Sequence, residues 1–401
     1  MTAPPGHPRT TSPRASLIRS TVYPNRKRLL AAAALWAAAA LAAGCGGGGS
    51  AHPSATAPGA RCPAALARAK EAVRRAEQTD TGWNGPTTGP AAVPGKSLVY
   101  VAQTMTNPGV AGVAEGVREA AAAIGWQVRV IDGDGSPAGI QAALSQAVTL
   151  RPSGIVIGGF DPRLTEQQTA HAQAQGITLI GWHAVGSPGP STEPRLFTNI
   201  TTRVEEVAGI SADWVIARSG GAAGVVVFTD DSIPFARTKA ELIGRRLAGC
   251  PGVDVLATEN IPIPDAGQRT PQEVSSLLAR FGDRWTDSVA INDLYFADAA
   301  PALRAAGRPG GGPPFNIGAG DGDPSAFQRI NSHGFQAATV PEPLSQQGWQ
   351  AVDEFNRAFA GRPASGYVAP VHVVTAGNSG GAASWDPKGY REAYRRIWHG
   401  G

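Results

Sequence analysis

From Ser97 onward the chain alternates short apolar runs with amphipathic stretches, and the joins between them carry the same punctuation each time. The run Leu98 to Gln103 is followed by Asn107-Pro108, then by Val110, Val113, Val117, Ala121 and Ile124 at helical spacing. Asn107 suits an N-cap and Pro108 the first helical turn. The unit recurs with strand Gln127 to Asp132 and Ser136-Pro137, then with strand Ile155 to Gly158 and Asp161-Pro162. Strand Ile177 to Trp182 follows. Apolar strands separated by helices make a parallel sheet covered on both faces and joined by right-handed crossovers.

A second series follows Asn199. It predicts helices over Val204 to Ala217, Phe235 to Leu247, Pro271 to Phe281 and Leu294 to Ala306. The strands between them are Gly224 to Thr229, Val253 to Ile261, Val289 to Asn292 and Phe315 to Gly318. The fold class is therefore α/β, with two doubly wound parallel-sheet lobes. Ligands of such sheets bind at the carboxyl ends of the strands, which here carry Gln103, Asp132, Phe160-Asp161, Trp182-His183, Thr229-Asp230-Asp231, Asn292-Asp293 and Asp321.

Upstream lies a different kind of sequence. Arg26-Lys27-Arg28, an apolar core from Leu29 to about Leu41, and Leu41-Ala42-Ala43-Gly44-Cys45 resemble a bacterial lipoprotein signal. The apolar core is too short to serve as a membrane span. The expected mature chain starts at Cys45, lipidated on sulfur, outside the cytoplasmic membrane. Residues 45–95 read as tether and a short helical extension from about Pro63 to Glu77. Beyond the leader the chain is longer than one core usually holds, which agrees with two lobes.

Part of the +4 formal charge lies in the leader, and no basic stripe suggests nucleic acid. With Cys45 acylated, Cys62 and Cys250 remain; an exported pair implies one disulfide, two buried thiols being the alternative. The seven histidines show no metal-ligand spacing, so neither metal nor cofactor is expected. Gly377-Asn378-Ser379-Gly380-Gly381 imitates a protease nucleophile loop, but on an α/β scaffold it reads as a glycine-rich tail loop.

From Lys96 to about Thr375 the order of features resembles the type I periplasmic binding proteins, in the ribose- and sugar-binding branch that feeds ABC importers. The marks are Asn107-Pro108, Gly154-Ile155-Val156-Ile157-Gly158, Gly176-Ile177-Thr178-Leu179-Ile180, Ile291-Asn292-Asp293, Gly318-Ala319-Gly320-Asp321-Gly322 and Pro341-Glu342-Pro343-Leu344-Ser345-Gln346-Gln347-Gly348. The resemblance implies three crossings between lobes, near Asn199, Glu342 and Pro370. It assigns residues 96–199 plus 342–370 to the N-terminal lobe and 200–341 plus 371–401 to the C-terminal lobe and tail.

It also implies a non-enzymatic, monomeric solute-binding lipoprotein that gives a small polyhydroxylated ligand to an ABC permease. The same fold as the sensing subunit of a membrane kinase or chemoreceptor is the alternative, and a surface hydrolase a weaker one. Asn107 matches the first binding loop of ribose binders, but Gly109-Val110 replaces their aromatic pair, and Trp182-His183 stands where they carry Asp-Arg. Asn292, Asp293, Asp321 and Glu342 fall where the resemblance places polar ligand contacts.

Read as residues, a sugar site needs acceptors and a flat aromatic. Asp132, Asp293 and Asp321 could be acceptors, and Phe160, Trp182 and Tyr295 the surface. Asp161 serves a helix cap first, Asp321 fits either a ligand contact or a turn, and Asp231 with Arg237 fits either a grip on ligand or a solvated loop. The acidic rim favours neutral or cationic ligands over anions.

Overall fold

The computed structural model describes residues 62–78 and 82–400. The expected leader (1–44) and the lipidation residue Cys45 lie outside the described residues. The N-terminal lobe is built on strands β1 (Ser97–Ala102), β2 (Gln127–Asp132), β3 (Gly154–Gly158), β4 (Thr178–Trp182), β5 (Gly189–Thr192) and β6 (Arg195–Ile200), in the order β2-β1-β3-β4-β6-β5. Between them run α2 (Pro108–Ala123), α3 (Pro137–Thr149) and α4 (Glu166–Ala174). The C-terminal lobe holds β7 (Ala223–Thr229), β8 (Val253–Asn260), β9 (Asp287–Ala290), β10 (Phe315–Gly318), β11 (Ala338–Thr339) and β12 (Val374–Thr375), in the order β12-β11-β10-β9-β7-β8. Its helices are α5 (Val204–Arg218), α6 (Pro234–Ala248), α7 (Ala266–Phe281), α8 (Leu294–Ala305) and α9 (Pro324–Asn331).

Both sheets are parallel in their centres, where strands such as β3 and β7 are buried along their whole length. Each sheet differs from the expected all-parallel form at one edge: β5 pairs antiparallel with β6, and β12 antiparallel with β11. Neither edge strand has an apolar run of its own, so periodicity gives no sign of them. Helix α7 starts at Ala266, five residues before the expected Pro271. The missing N–H of Pro271 leaves one carbonyl of the opening turns without its helical partner, and the buried Ala266 and Thr270 hold the helix across it.

Caps sit where the sequence indicates. The side chains of Asn107, Ser136 and Asp161 accept hydrogen bonds from the backbone N–H of Gly109, Gly139 and Arg163. Helix α10 (Leu344–Phe359) returns the chain to the N-terminal lobe and lies against α2. A Cβ on Gly348 would meet the Gly116 backbone at 2.5 Å, so this pair of glycines sets how closely the two helices approach.

The tail departs from its expected lobe. Helix α11 (Tyr390–Trp398) packs in the N-terminal lobe, where Trp398 stacks on Trp349 of α10 at 5.3 Å and donates Nε1–H to Asp353. The extension also divides. Helix α1 (Pro63–Glu77) buries Ala69, Val73 and Ala76 in the C-terminal lobe core, where Cys62 is disulfide-bonded to Cys250 with a Cα separation of 5.1 Å. Residues 83–93 instead lie on the N-terminal lobe. Among the described residues no helix is long and apolar enough to cross a membrane.

Candidate functional site

The carboxyl edges of the two sheets face each other across a cleft lined by Asn107, Trp182 and His183 from the N-terminal lobe. The opposite wall is formed by Phe235, Lys239, Asn292 and Asp321. The cavity between them is about 40 Å³, so a solute larger than one or two waters enters only if the lobes part. A wider, open hollow of about 550 Å³ lies between α1, α5 and Val371. None of the polar side chains lining it is both buried and unpartnered, so it offers less to a polar ligand than the cleft does.

Three rings span the cleft. The Trp182 ring stacks on His183 at 4.1 Å and 9°, and His183 meets Phe235 of the other lobe at 4.7 Å. His183 holds a φ of 49°, a left-handed conformation uncommon for a non-glycine residue. Trp182 Nε1–H donates to Gln347 Oε1 at 2.7 Å, and Gln347 Nε2–H donates to Glu342 at 2.6 Å. Glu342 also accepts from the Thr202 hydroxyl at 2.6 Å and lies 3.5 Å from His183 Nε2. Thr202 and Glu342 stand on two of the chain crossings, so the network joins the aromatic wall to the hinge. Burial opposes charge on Glu342, but His183, Lys239 and Thr202 outweigh it and hold the carboxyl at about 2.

Charge is concentrated on the C-terminal wall. Lys239 is buried, with Nζ donating to the carbonyls of Ala319 at 2.5 Å and Ile291 at 3.4 Å, both at strand ends. Burial lowers its pKa, while Glu342, Asp321 and Asp293 act the other way. Gly320 lets the turn approach this ammonium, since a Cβ there would lie 2.9 Å from Nζ. Asp321 follows at φ 71°, buried, with Oδ2 lacking a hydrogen-bond partner. Burial and the nearby Asp293 push its carboxyl up, with Lys239 opposing. Asp321 reaches the other lobe at Gly109, where a Cβ would come within 2.5 Å of Oδ1. Glycine at 109 therefore makes room for an acidic side chain from the opposite wall. Asn292 Nδ2–H meets Asn107 Oδ1 across the cleft at 3.3 Å, and Gln103 Oε1, at the end of β1, is buried without a partner.

Several sequence candidates lie elsewhere. Tyr295 is in the C-terminal lobe core with its hydroxyl donating to the Ile261 carbonyl. Phe160 is buried in the N-terminal lobe core, in the cluster that also holds the α3 residues Ile140 and Leu144. Both follow a strand end, but their side chains turn under the helix layer rather than into the cleft. Asp293 is buried behind the wall, accepting from Gly322 N–H, Gln336 Nε2–H and the Thr339 hydroxyl. Burial and Asp323 raise it to about 7. Asp161 pairs with Arg163, and Asp132 accepts from the backbone of Met105 and Asp134. Asp231 and Arg237 are exposed and absent from the cavity lining. Sequence reasoning passed over Phe235, Lys239, Thr202 and Gln347. The first two are four residues apart on α6, a spacing that places them on one helix face, but an isolated lysine there reads as solvent-facing.

Two α/β lobes closing on a polar cleft with an aromatic wall define a class of solute-binding proteins. The family model described as "periplasmic binding protein domain" matches residues 98–363, and the chain belongs to that family. No curated protein sequence matches it. Solved structures similar to it include an ABC transporter solute binding protein of Agrobacterium vitis bound with alpha-D-tagatopyranose. That one has 17% identity and a TM-score of 0.63, covering 73% of this chain and 99% of that one. A solute binding protein of Burkholderia graminis in complex with D-arabinose gives 17% and 0.62, covering 71% and 96%. The glucose-galactose binding protein of Geobacillus stearothermophilus gives 14% and 0.60, covering 71% and 99%. At these identities the likeness is one of fold.

Proposed function

We propose that the protein captures a small, neutral, polyhydroxylated molecule, a sugar or polyol, between its lobes and delivers it to an ABC permease without performing chemistry on it. The observation that carries this reading is the buried Asp321 carboxyl with an unpartnered oxygen, in a cleft it shares with a stack of rings. A buried acceptor without a partner is costly and is relieved by a ligand hydroxyl. Lys239 has one ammonium hydrogen beyond its two carbonyl contacts, and Asn107 and Asn292 add amides. Trp182, His183 and Phe235 supply faces for the apolar side of a ring.

Burial and Asp293 push the Asp321 carboxyl up, and Lys239 is already shared between Glu342 and Asp321, so a sugar acid or phosphate would bring a further negative charge into a buried site with no cation to spare for it. The sugars named for the similar structures support the class. We place the protein on the outer face of the cytoplasmic membrane, held by lipid on Cys45.

The test is a thermal-shift screen of the purified protein against neutral sugars, polyols, and sugar acids of matched size. A neutral ligand at a hundredfold its dissociation constant stabilises the folded state by about 2.7 kcal/mol. Stabilisation by sugar acids alone would reject the reading.

A further inference from the structure

Successive side chains of an extended strand point to opposite faces, yet Trp182, which ends β4, and His183, which follows it, stack ring on ring at 4.1 Å. The left-handed backbone at His183, with φ 49°, breaks the alternation and turns the imidazole back over the indole. That conformation costs a non-glycine residue free energy. His183 N–H donates to Ile200 O at 3.1 Å, which fixes the backbone there. Nε2 of the ring is buried 3.5 Å from Glu342 Oε1 without a hydrogen-bond partner, so ring contacts hold the imidazole in place. One contact is Trp182. The other is Phe235 of the opposite lobe at 4.7 Å, with the Lys239 ammonium 5.0 Å from the Phe235 centroid. The imidazole thus lies between the aromatic groups of the two lobes, and with it in place the cleft leaves about 40 Å³.

We propose that the His183 ring is an internal occupant of the site: it takes the Trp182 face that a sugar ring would take, and a solute binds only by turning it aside. The proposal rests on the reading of this cleft as the solute site. The Trp182 face is covered by the imidazole at an interplanar angle of 9°, so imidazole and sugar ring exclude one another there. An occupant of this kind is a competitor carried on the chain itself. It holds a fraction of the protein in a blocked arrangement, and apparent affinity falls as the competent fraction falls.

The experiment titrates D-arabinose, D-galactose and D-tagatose calorimetrically into the wild-type protein, His183→Ala and His183→Asn. Alanine removes the ring. Asparagine also removes it but tolerates left-handed backbone, so it answers for alanine should that variant fail to fold. Both variants bind the sugars roughly two- to tenfold more tightly than wild type, the effect of losing one ring stack. Equal or weaker binding by either folded variant would overturn the proposal, since a purely structural ring predicts the first and a ring that contacts the solute predicts the second. Failure of all three sugars to bind any of the proteins tells against the solute reading of the cleft rather than against the ring. Spin labels on Gln167→Cys and Arg237→Cys, exposed on α4 and α6, then decide the role of the ring. Longer label distances in His183→Ala than in wild type retain the imidazole as the group that fills the cleft and joins the lobes; identical distances overturn it.

Discussion

The two walls of the cleft are made from matching strand ends, yet they carry different chemistry. The N-terminal wall offers rings and an amide, with Trp182 and His183 stacked and braced through Gln347 to the hinge. The C-terminal wall adds one ring, Phe235, and offers charge, with Lys239 held by two strand-end carbonyls and Asp321 left with a free oxygen. Each wall alone is incomplete for a polyol: the rings give area without direction, and the carboxylate gives direction without a surface. Closure brings them together, which is how a ligand favours the closed state over the open one.

The largest effect expected from separating the walls is in Trp182→Ala. The ring is buried and braced, so its loss costs about 3–5 kcal/mol of stability and weakens ligand binding by roughly 1–3 kcal/mol. Denaturant unfolding and calorimetry measure the two separately. A stability loss with unchanged affinity would move Trp182 out of the site and into the core alone.

Two buried carboxyls sharpen the comparison through pH, with opposite signs. Glu342 titrates near 2 in the folded protein against an ordinary value of 4.5. Its contribution is present above 4.5 and lost as pH falls toward 2. Asp293 is raised from 3.8 to about 7, so stability from this group is full below 3.8 and declines as pH rises toward 7. Thermal unfolding between about pH 2 and about pH 8 should therefore fall off on both sides of an acidic optimum from these two groups. Glu342→Gln should flatten the acid limb and Asp293→Asn the limb toward neutrality. If either substitution leaves its limb unchanged, that assignment fails.

The smallest effect is expected from Tyr295→Phe. Removing its hydroxyl leaves the buried Ile261 carbonyl without that donor and costs about 1 kcal/mol of stability, with no change in ligand affinity. A drop in affinity would show that the core and the wall are less separate than their geometry indicates.

What the sequence made legible follows from what is local. Caps such as Asn107 and Ser136, and uniformly apolar strands such as β3, announce themselves within a few residues. The edge strands β5 and β12 do not, because they are short and their register depends on a partner strand. The lobe of α11 was also invisible: its tyrosines and Trp398 are amphipathic in any setting, and their partners Trp83 and Trp349 are distant in sequence. Trp182, His183, Asn292 and Asp321 stand out by their position at strand ends and Asn107 by the family resemblance, and all five line the cleft. Tyr295 and Phe160 were misplaced by the same rule, since the residues after a strand can turn toward the cleft or under the helices. Lys239 was missed because only burial distinguishes it from a surface lysine.

The most direct test of the account is a calorimetric titration of one neutral polyol or sugar, taken from the thermal-shift screen, into the wild-type protein and Asp321→Ala. Loss of this buried hydrogen-bonding carboxyl predicts weakening by about 1–3 kcal/mol, or roughly five- to more than a hundredfold. Equal affinity in the two proteins would contradict the claim that a polyol is held between the charged wall and the ring wall.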